Sequence, residues 1–289
     1  MKDRGVKAAR GRLGRMPWNP TQYEKFAAQR AQPFHDLLSL VRFTPGMRIV
    51  DLGCGTGALT MLLREASPGA SIVGVDASPE MLARAARNVA GVRFVQADLR
   101  TFGEEGAYDL VLSNAALHWL DDHASLVPRL MRLASPGGQI AWQIPSNHVH
   151  PAHVAIHEEL VAEEPFRSML GGWKRLTTVL PVDEYARLLH RCGAKDIVAL
   201  EKVYVHELES VASVVDWTRA TTLLPYLERL PVAWHERFLG RYRELLVGRW
   251  GGERPYCYTF RRILLHAHVG AHGDPPGLGS GESSRSQVA

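Results

Sequence analysis

The sequence is poor in cysteine and has no long apolar run. Its three cysteines, Cys54, Cys192 and Cys257, lie far apart and follow no metal-ligand spacing, so neither a disulfide framework nor a zinc site is predicted. No stretch reaches the ~18 consecutive apolar residues that a membrane span needs, and no signal-peptide core is found. We therefore expect a protein of the reducing cytoplasm, with no bound metal and no membrane partner.

The central part of the chain also lacks a net charge. The formal charge is +4, with +5 in residues 1–16 and −1 in residues 270–289. A neutral body, 17–269, argues against a nucleic-acid partner, because such partners are bound largely by neutralising phosphates. We expect 1–16 to be a disordered basic extension rather than a transit peptide, because no amphipathic apolar face runs through it. We expect 270–289 to be a disordered Gly/Ser/Pro-rich tail. The body is expected to be one domain and a monomer.

Strands and helices alternate strictly from Gly46 to Pro145, which is typical of a parallel sheet with helices on both faces. Two more strands follow later in the chain. The predicted strands are 47–51, 71–76, 92–98, 108–114, 139–144, 197–208 and 256–269. The sequence thus predicts an α/β fold built on a doubly wound, mostly parallel, seven-stranded sheet.

Several local features are predicted around this sheet. The entry segment 17–43 is expected to form two helices with a break at Arg30–Pro33, since the residue before proline disfavours helix. Ser135–Gly138 is expected to be a turn. Two helical blocks, 146–180 and 210–250, are predicted as inserted lid segments. The first block carries four histidines, but Pro151 interrupts a continuous ligand face, so no metal site is predicted there.

A glycine-rich turn follows the first strand, with the sequence Asp51-Leu-Gly-Cys-Gly-Thr-Gly57. Its alternating glycines leave no Cβ between the backbone and a ligand lying on the turn. This pattern alone is weak, because any tight strand-to-helix turn favours glycine. Asp76 strengthens it: this acid ends the second strand, 19 residues after Gly57, where an acidic side chain meets the ribose hydroxyls of an adenosine cofactor.

Further polar residues end the next two strands, Asp98 on the third and Asn114 on the fourth. A dinucleotide would favour Gly-x-Gly-x-x-Gly facing its pyrophosphate, whereas the glycine spacing here is shorter and the strand ends are acidic. These acidic strand ends suit a cofactor with an ammonium, a sulfonium, a ribose diol and an adenine amine but no phosphate. The cofactor predicted is S-adenosylmethionine. The alternative is that each acid only caps a helix.

With Ser113-Asn-Ala-Ala-Leu-His-Trp119 added, these motifs resemble class I S-adenosylmethionine-dependent methyltransferases. More narrowly, residues 17–265 resemble the trans-aconitate 2-methyltransferase family. The narrower marks are Trp18-Asn-Pro-x-x-Tyr23-x-x-Phe26-x-x-x-Arg30-x-x-Pro33, Trp119-Leu-x-Asp-His123, Gln143-Ile-Pro-Ser-Asn147, Pro151-x-His153, Tyr204-x-His206 and Asp216-Trp217-x-x-Ala220-Thr221. The strand ends and the resemblance together imply these cofactor-binding residues: Asp51, Gly53, Cys54, Gly55, Asp76, Ala77, Met81, Asp98, Leu99 and Asn114.

The resemblance also implies a small polycarboxylic acid as substrate, most directly trans-aconitate. The expected substrate residues are Tyr23, Arg30, Trp119, Asn147, His148, Trp217 and Arg262. The chain departs from the family pattern at His118, where the family has Gln, and at Leu224, where the family has Arg. Near the last strand, Arg262 matches a family arginine, while the adjacent Arg261 is an additional cation.

A carboxylate acceptor needs no general base, because its pKa near 4 leaves it ionised at pH 7. No catalytic acid or base is therefore predicted. Three alternatives stay open: a malonyl-carrier-protein methyltransferase, another small-molecule O- or C-methyltransferase, and a non-enzymatic cofactor-binding regulator. A carrier-protein substrate would favour a basic landing patch, which the neutral body does not supply.

Overall fold

The computed structural model describes residues 27–103, 105–219, 221–251 and 253–270, with side chains from Ala31 onward. Within these residues the chain forms two compact units. The first, the sheet unit, comprises Arg30–Asn147, Thr177–Tyr204 and the chain from Phe260 onward. The second, the helical unit, comprises His148–Leu176 and Val205–Thr259. The predicted disordered ends, 1–16 and 270–289, lie outside the described residues except for Gly270.

Seven strands form one sheet in the order β3-β2-β1-β4-β5-β7-β6. The strands are β1 Arg48–Leu52, β2 Ser71–Asp76, β3 Arg93–Gln96, β4 Tyr108–Asn114, β5 Ala134–Pro145, β6 Lys195–Leu208 and β7 Tyr256–His268. β1 pairs in parallel with β2 and β4, and β7 runs antiparallel to β5. The strand order reverses between β1 and β4, and in open α/β sheets ligands bind in the crevice at such a switch point. The predicted fold class is confirmed.

The α-helices are α1 Ala27–Leu38, α2 Ala58–Ala66, α3 Pro79–Asn88, α4 His123–Met131, α5 Pro151–Val154, α6 Phe166–Met169, α7 Val182–Arg191, α8 Ser213–Arg219, α9 Leu224–Leu227 and α10 His235–Trp250. Shorter 3-10 turns cover Leu117–Trp119, Asn147–Val149, Leu160–Ala162 and Val232–Trp234, and Ala155–Glu159 forms a π-helical turn. Helix α3 begins as its sequence predicts: the Ser78 hydroxyl accepts a hydrogen bond from the Met81 amide, and Pro79 occupies the first turn.

Alternate residues of each strand point to opposite faces of the sheet. One face, called here the α1 face, packs Leu112 of β4, Ala141 of β5 and Leu264 of β7 against Phe34 and Leu37 of α1. The opposite face packs against helices α4 and α7. Its cluster includes Val111, Ile140, Trp142, Ile263, Tyr185 and Leu188. Both faces are thus covered by apolar side chains, as a doubly wound sheet requires.

Three boundary predictions were wrong. Helix α1 runs unbroken through Pro33; proline removes one N–H, but the fully buried Phe34 and Leu37 fix the following turn. β5 begins at Ala134, so the predicted turn Ser135–Gly138 lies inside the strand, where pairing with β4 is irregular before it becomes regular at Gln139. β3 ends at Gln96, two residues before Asp98.

The helical unit gathers most of the two blocks predicted as lid segments. Its interior is aromatic: Tyr226 and Tyr242 are fully buried, and the Tyr242 hydroxyl donates a hydrogen bond to the Ala152 carbonyl at 2.9 Å. The Phe166 ring lies edge-on to Phe238 at 5.0 Å. The action of these blocks as a lid stays a prediction.

Candidate cofactor and substrate site

The glycine turn between β1 and α2 is closed on one side and open on the other. Gly53, Gly55 and Gly57 have φ angles of 77°, 55° and 76°, in the left-handed region that favours glycine. A Cβ on Gly53 would lie 2.2 Å from the Ala116 Cβ, whereas a Cβ on Gly55 would meet nothing within 4 Å. The turn therefore packs against the end of β4 at Gly53 and leaves space for a ligand at Gly55.

Asp76 holds this turn and the start of α3 together. Its Oδ2 accepts a hydrogen bond from the Gly55 amide at 3.0 Å, and its Oδ1 accepts one from the Ser78 amide at 2.8 Å. A carboxylate oxygen can accept two hydrogen bonds, so each oxygen keeps one position for a ribose hydroxyl. Ala77 is exposed next to it, and Met81 lies half-buried on the first turn of α3. The structure thus brings Asp76, Ala77 and Met81 to one edge beside the open side of the turn.

Asp51 and Cys54 are buried beneath the turn. Thr60 Oγ1 donates a hydrogen bond to Asp51 Oδ2 at 2.6 Å. Burial raises the pKa of Asp51 to about 6, with a smaller contribution from the charge of Asp76. Burial also raises the pKa of the Cys54 thiol, which therefore stays protonated and packs as a small apolar group.

Asp98 and Leu99 differ in their surroundings. Arg100 Nε donates to both Asp98 oxygens at 3.0 and 3.1 Å, and this pairing lowers the pKa of Asp98 to about 2. Leu99 places its side chain in the apolar core. A contact between Leu99 and the cofactor would therefore use its backbone.

Polar groups continue along the α1 face at the ends of β4 and β5. Leu112 and Ala141 belong to this face, so Asn114 and Gln143, each two residues further, lie on it as well. Asn114 pairs in register with Gln143. Among the described residues, Asn114 Oδ1 and both polar atoms of Gln143 are buried without a hydrogen-bond partner. Gln143 was not among the predicted site residues, although a glutamine within an otherwise apolar strand is a signal that the sequence offers.

A short 3-10 turn after β4 presents His118 and Trp119. Trp119 is 45% exposed, and its ring lies 4.8 Å from that of His118. His123, another residue missed as a contributor, supports this turn: its Nε2 donates to the Leu117 carbonyl at 3.1 Å, and its Nδ1 accepts from the Tyr185 hydroxyl. Burial lowers the pKa of His123, so the ring is neutral and suited to this pairing.

Two adjacent arginines on β7 differ in their surroundings. Arg262 is 8% exposed and lies two residues from Leu264, on the α1 face, with its guanidinium 4.3 Å from the Phe260 ring centre. Arg261 is half-exposed and pairs with Glu201 at 3.2 Å. The Arg261 amide donates to Asn147 Oδ1 at 2.9 Å, so the Asn147 side chain fixes the start of the connection after β5.

The other predicted substrate residues are spread over the chain. Tyr23 lies outside the described residues. Arg30 lies on α1, four residues before Phe34, and its side chain is not among those described. The two remaining residues, His148 and Trp217, belong to the helical unit, and their part in substrate binding stays a prediction.

Within the helical unit, Trp217 is buried between His206 and Tyr258, with ring centres 4.6 and 5.6 Å away. His148 is half-buried at the start of this unit. His153 Nε2 lies 2.8 Å from the Tyr258 hydroxyl. In the part of the chain that is described, no group of three or more His, Cys, Asp or Glu residues is arranged to hold a metal ion.

The described residues fit S-adenosylmethionine. The open side of Gly55 admits a ligand, and Asp76 has acceptor positions for a ribose diol. Asn114 Oδ1 is a buried acceptor with no donor among the described residues. The acidic Asp51 adds the charge that a cationic ligand favours. None of the described helices is long and apolar enough to cross a membrane.

Comparison with known proteins agrees with this geometry. A family model described as a methyltransferase domain matches residues 49–138. The chain is 42% identical to the trans-aconitate 2-methyltransferase of Deinococcus radiodurans over 87% of its own length and 98% of that protein. It is 40% identical to the enzyme of that name from Methylobacterium nodulans, over 80% of this chain and 89% of the relative.

Solved structures share the fold at low identity. The YcgJ protein of Bacillus subtilis superposes with a TM-score of 0.54 at 14% identity, covering 83% of this chain and 98% of that one. A Bacillus halodurans protein solved as a candidate methyltransferase gives a TM-score of 0.52 at 15% identity, covering 82% of this chain and 98% of that one.

The expected cofactor and enzyme class are confirmed. With curated relatives matched over most of its length, the chain belongs to the trans-aconitate 2-methyltransferase family of S-adenosylmethionine-dependent enzymes.

Proposed function

We propose that the protein transfers a methyl group from S-adenosylmethionine to a carboxylate of trans-aconitate. The observation that carries this proposal is the position of Arg262, a buried cation on the α1 face. On β7, Arg262 pairs with Pro145 at the end of β5, and this position is near Asn114 and Gln143 on the same face. A guanidinium fork suits planar carboxylates, and a tricarboxylate offers two besides the one that reacts. The relatives named trans-aconitate 2-methyltransferase support the same substrate.

S-adenosylmethionine supplies an electrophilic methyl group on a sulfonium. The reaction forms an O–CH3 bond from a carboxylate lone pair and breaks the S–CH3 bond, whose electron pair stays on sulfur. Because the carboxylate is ionised at pH 7, no proton is transferred and no residue has to act as a base. The chain's own residues therefore orient the acceptor and exclude water.

Methyl transfer to defined acids tests the proposal. Cofactor carrying a labelled methyl group is incubated with trans-aconitate, cis-aconitate, citrate or a malonyl-carrier protein, and the ester is identified by mass spectrometry. We expect the highest kcat/KM with trans-aconitate. Preference for the malonyl-carrier protein, or binding of cofactor without turnover on any acid, would contradict the proposal in favour of the carrier-protein enzyme or the regulator.

A control variant separates loss of cofactor from loss of substrate. Asp76→Asn should weaken S-adenosylmethionine binding by about 1.5–3 kcal/mol, the usual contribution of a hydrogen bond to a charged group. The KM for trans-aconitate, measured at saturating cofactor, should change little. Unchanged cofactor affinity in this variant would exclude Asp76 as the ribose ligand.

A further inference from the structure

The amide of Gln143 has no role in the fold that the structure describes. Its side chain is fully buried on β5, and among the described residues neither Nε2 nor Oε1 has a hydrogen-bond partner. Buried polar side chains are nearly always hydrogen-bonded, because an unpaired donor or acceptor loses its water without compensation. The two unpaired atoms therefore mark a position in the described part of the chain where a bound ligand can supply the missing partners.

Gln139 provides an internal comparison. It lies on the same strand and on the same face, four residues earlier, and it is also buried. Its Oε1 accepts from the Arg42 amide at 2.9 Å and from His266 Nε2 at 3.1 Å, and its Nε2 donates to the Arg42 carbonyl at 2.8 Å. The amide of Gln139 therefore stabilises the fold, whereas that of Gln143 makes no hydrogen bond to the residues that the structure describes.

The position of Gln143 points to the methyl acceptor rather than to the adenosine. The residues that fit adenosine lie on β1, β2 and the turn after β1, on one side of the switch point. Gln143 lies beyond β4 on the other side and pairs in register with Asn114 and with Leu264. A substrate receiving the methyl group has to approach from beyond the cofactor, which on this sheet means from β5 and β7.

The backbone around Gln143 is also fixed. Its carbonyl accepts a hydrogen bond from the Ala115 amide at 2.9 Å. Ala115 has a φ of 52°, a strained left-handed conformation for a residue with a Cβ. The end of β4 and Gln143 thus form one rigid structure, which suits a group that must hold a reacting atom in line.

We propose that Gln143 Nε2 donates a hydrogen bond to the carboxylate of the substrate that accepts the methyl group. The inference rests on the proposed function, because it requires a carboxylate acceptor. The substrate carboxylate is an acceptor, so it supplies the partner that the Nε2 donor lacks. A neutral amide also orients the reacting oxygen without neutralising its negative charge, unlike the guanidinium of Arg262.

The first test compares Gln143→Met with Gln139→Met. We expect Gln143→Met to lower kcat/KM for trans-aconitate tenfold or more, with the calorimetric Kd for S-adenosylmethionine unchanged within twofold. Its melting temperature without ligands should equal or exceed that of the wild type, since an unpaired amide is removed. Gln139→Met should show the reverse: a lower melting temperature with kcat/KM largely kept.

The second test is Gln143→Glu, which keeps the shape of the side chain. Burial raises the pKa of a carboxyl group, so the introduced group is protonated at low pH and can still donate a hydrogen bond. With saturating cofactor, the kcat of this variant should decrease at least tenfold from pH 5.5 to 8, while wild-type kcat stays within threefold. A merely structural role would not produce this difference between the two pH profiles.

The outcomes for Gln143 and for the substrate are distinguishable. A wild-type protein that does not methylate trans-aconitate refutes the proposed function, and the inference with it. A wild-type protein that does, together with a Gln143→Met variant of equal kcat/KM, refutes the inference alone. A Gln143→Met variant that loses activity only in proportion to a lower melting temperature also refutes it.

Discussion

Thr60 Oγ1 donates a hydrogen bond to Asp51 Oδ2 at 2.6 Å, joining helix α2 to strand β1 directly beneath the glycine turn. Burial raises the pKa of Asp51 to about 6, although this hydrogen bond opposes the shift. A cationic ligand near the carboxyl group favours its ionised form. We therefore expect cofactor binding and ionisation of Asp51 to be linked.

Because of this linkage, we expect the affinity for S-adenosylmethionine to rise with pH between about 5 and 6.5 and to level off above 7. Below pH 6 the carboxyl group is protonated before binding and has to release a proton. Calorimetry in buffers of different ionisation enthalpy should detect that release at pH 5.5 and lose it at pH 7.5.

Two variants test whether Asp51 is the group that makes the cofactor affinity depend on pH. Thr60→Val removes the hydrogen bond that lowers the pKa of Asp51, so the affinity midpoint should move to higher pH. Asp51→Asn removes the titrating group and should leave the affinity independent of pH. An unchanged pH profile in both variants would assign the effect to another group.

Gly53 and Gly55 allow stability and ligand access to be tested separately. Both have positive φ angles, so alanine at either position costs about 1 kcal/mol of backbone strain. Only Gly53→Ala adds a clash, because its Cβ would lie 2.2 Å from that of Ala116. We expect Gly53→Ala to lower the free energy of unfolding by roughly 2 kcal/mol or more.

In the matched variant Gly55→Ala, the free energy of unfolding should fall only by the backbone strain, about 1 kcal/mol. Its methyl group points into open space, where we expect the cofactor. Cofactor affinity, measured by calorimetry on folded protein, should therefore fall at least tenfold. An affinity equal to that of the wild type would place the cofactor elsewhere on the turn.

The sheet was predictable from the sequence because its strands are apolar runs separated by glycine and proline. Asp51, Asp76 and Asn114 lie at strand ends as predicted. The predicted break at Pro33 was wrong, because helix α1 continues through it and the burial of Phe34 and Leu37 is a tertiary effect that local preferences do not contain. The start of β5 was missed for a similar reason, since an irregular pairing with β4 is not visible in hydrophobic periodicity.

Site residues were predictable where the spacing of a sequence motif identifies them. They were not predictable where the role of a side chain depends on its hydrogen-bond or ion-pair partners in the fold. The resemblance predicts Arg262 rather than Arg261 as a substrate residue, but only the structure shows that Arg262 is buried and that Arg261 is half-exposed and pairs with Glu201. Gln139 and Gln143 are two glutamines of one strand, and only the structure shows that Gln139 is hydrogen-bonded to its neighbours.

Arg262 and Arg261 form a matched pair for testing substrate binding. If Arg262 binds a carboxylate of the substrate, Arg262→Ala should lower kcat/KM for trans-aconitate tenfold or more through loss of a charge-assisted contact. Arg262→Lys should recover only part, because an ammonium cannot form the bidentate fork. Arg261→Ala should change kcat/KM less than threefold. Equal losses in both alanine variants would indicate a general charge effect.

We expect the stability of the helical unit to depend on pH through His157. Its Nδ1 accepts from the Tyr226 hydroxyl at 2.7 Å, and that hydroxyl accepts from the Arg175 amide. Burial lowers the pKa of His157 to about 4. Below pH 6.5 the unfolded chain therefore binds a proton that the folded protein does not, and stability is lost as pH falls, by about 2 kcal/mol at pH 5.

A His157→Gln variant tests this loss, since glutamine keeps an acceptor and does not titrate. The raised pKa of Asp51 changes stability in the opposite direction between pH 4 and 6, so the informative quantity is the difference between wild type and variant. We expect the wild-type melting temperature, relative to that of the variant, to be several degrees lower at pH 5 than at pH 7. A constant difference would show that His157 titrates normally.

His118 decides between carboxylate chemistry and base catalysis. It lies half-buried on the 3-10 turn after β4, next to Trp119, where it could reach an acceptor group. A phenol, thiol or amine acceptor would have to lose a proton, and kcat would then rise tenfold per pH unit below the pKa of the base. A carboxylate arrives ionised, so His118 would only orient it by hydrogen bonding.

We expect kcat at saturating cofactor to stay flat from about pH 6 to 8.5, and His118→Gln to keep most activity because glutamine retains a donor and an acceptor. Collapse of kcat in that variant, together with a steep rise below pH 7 in the wild type, would establish a protonated acceptor and exclude aconitate.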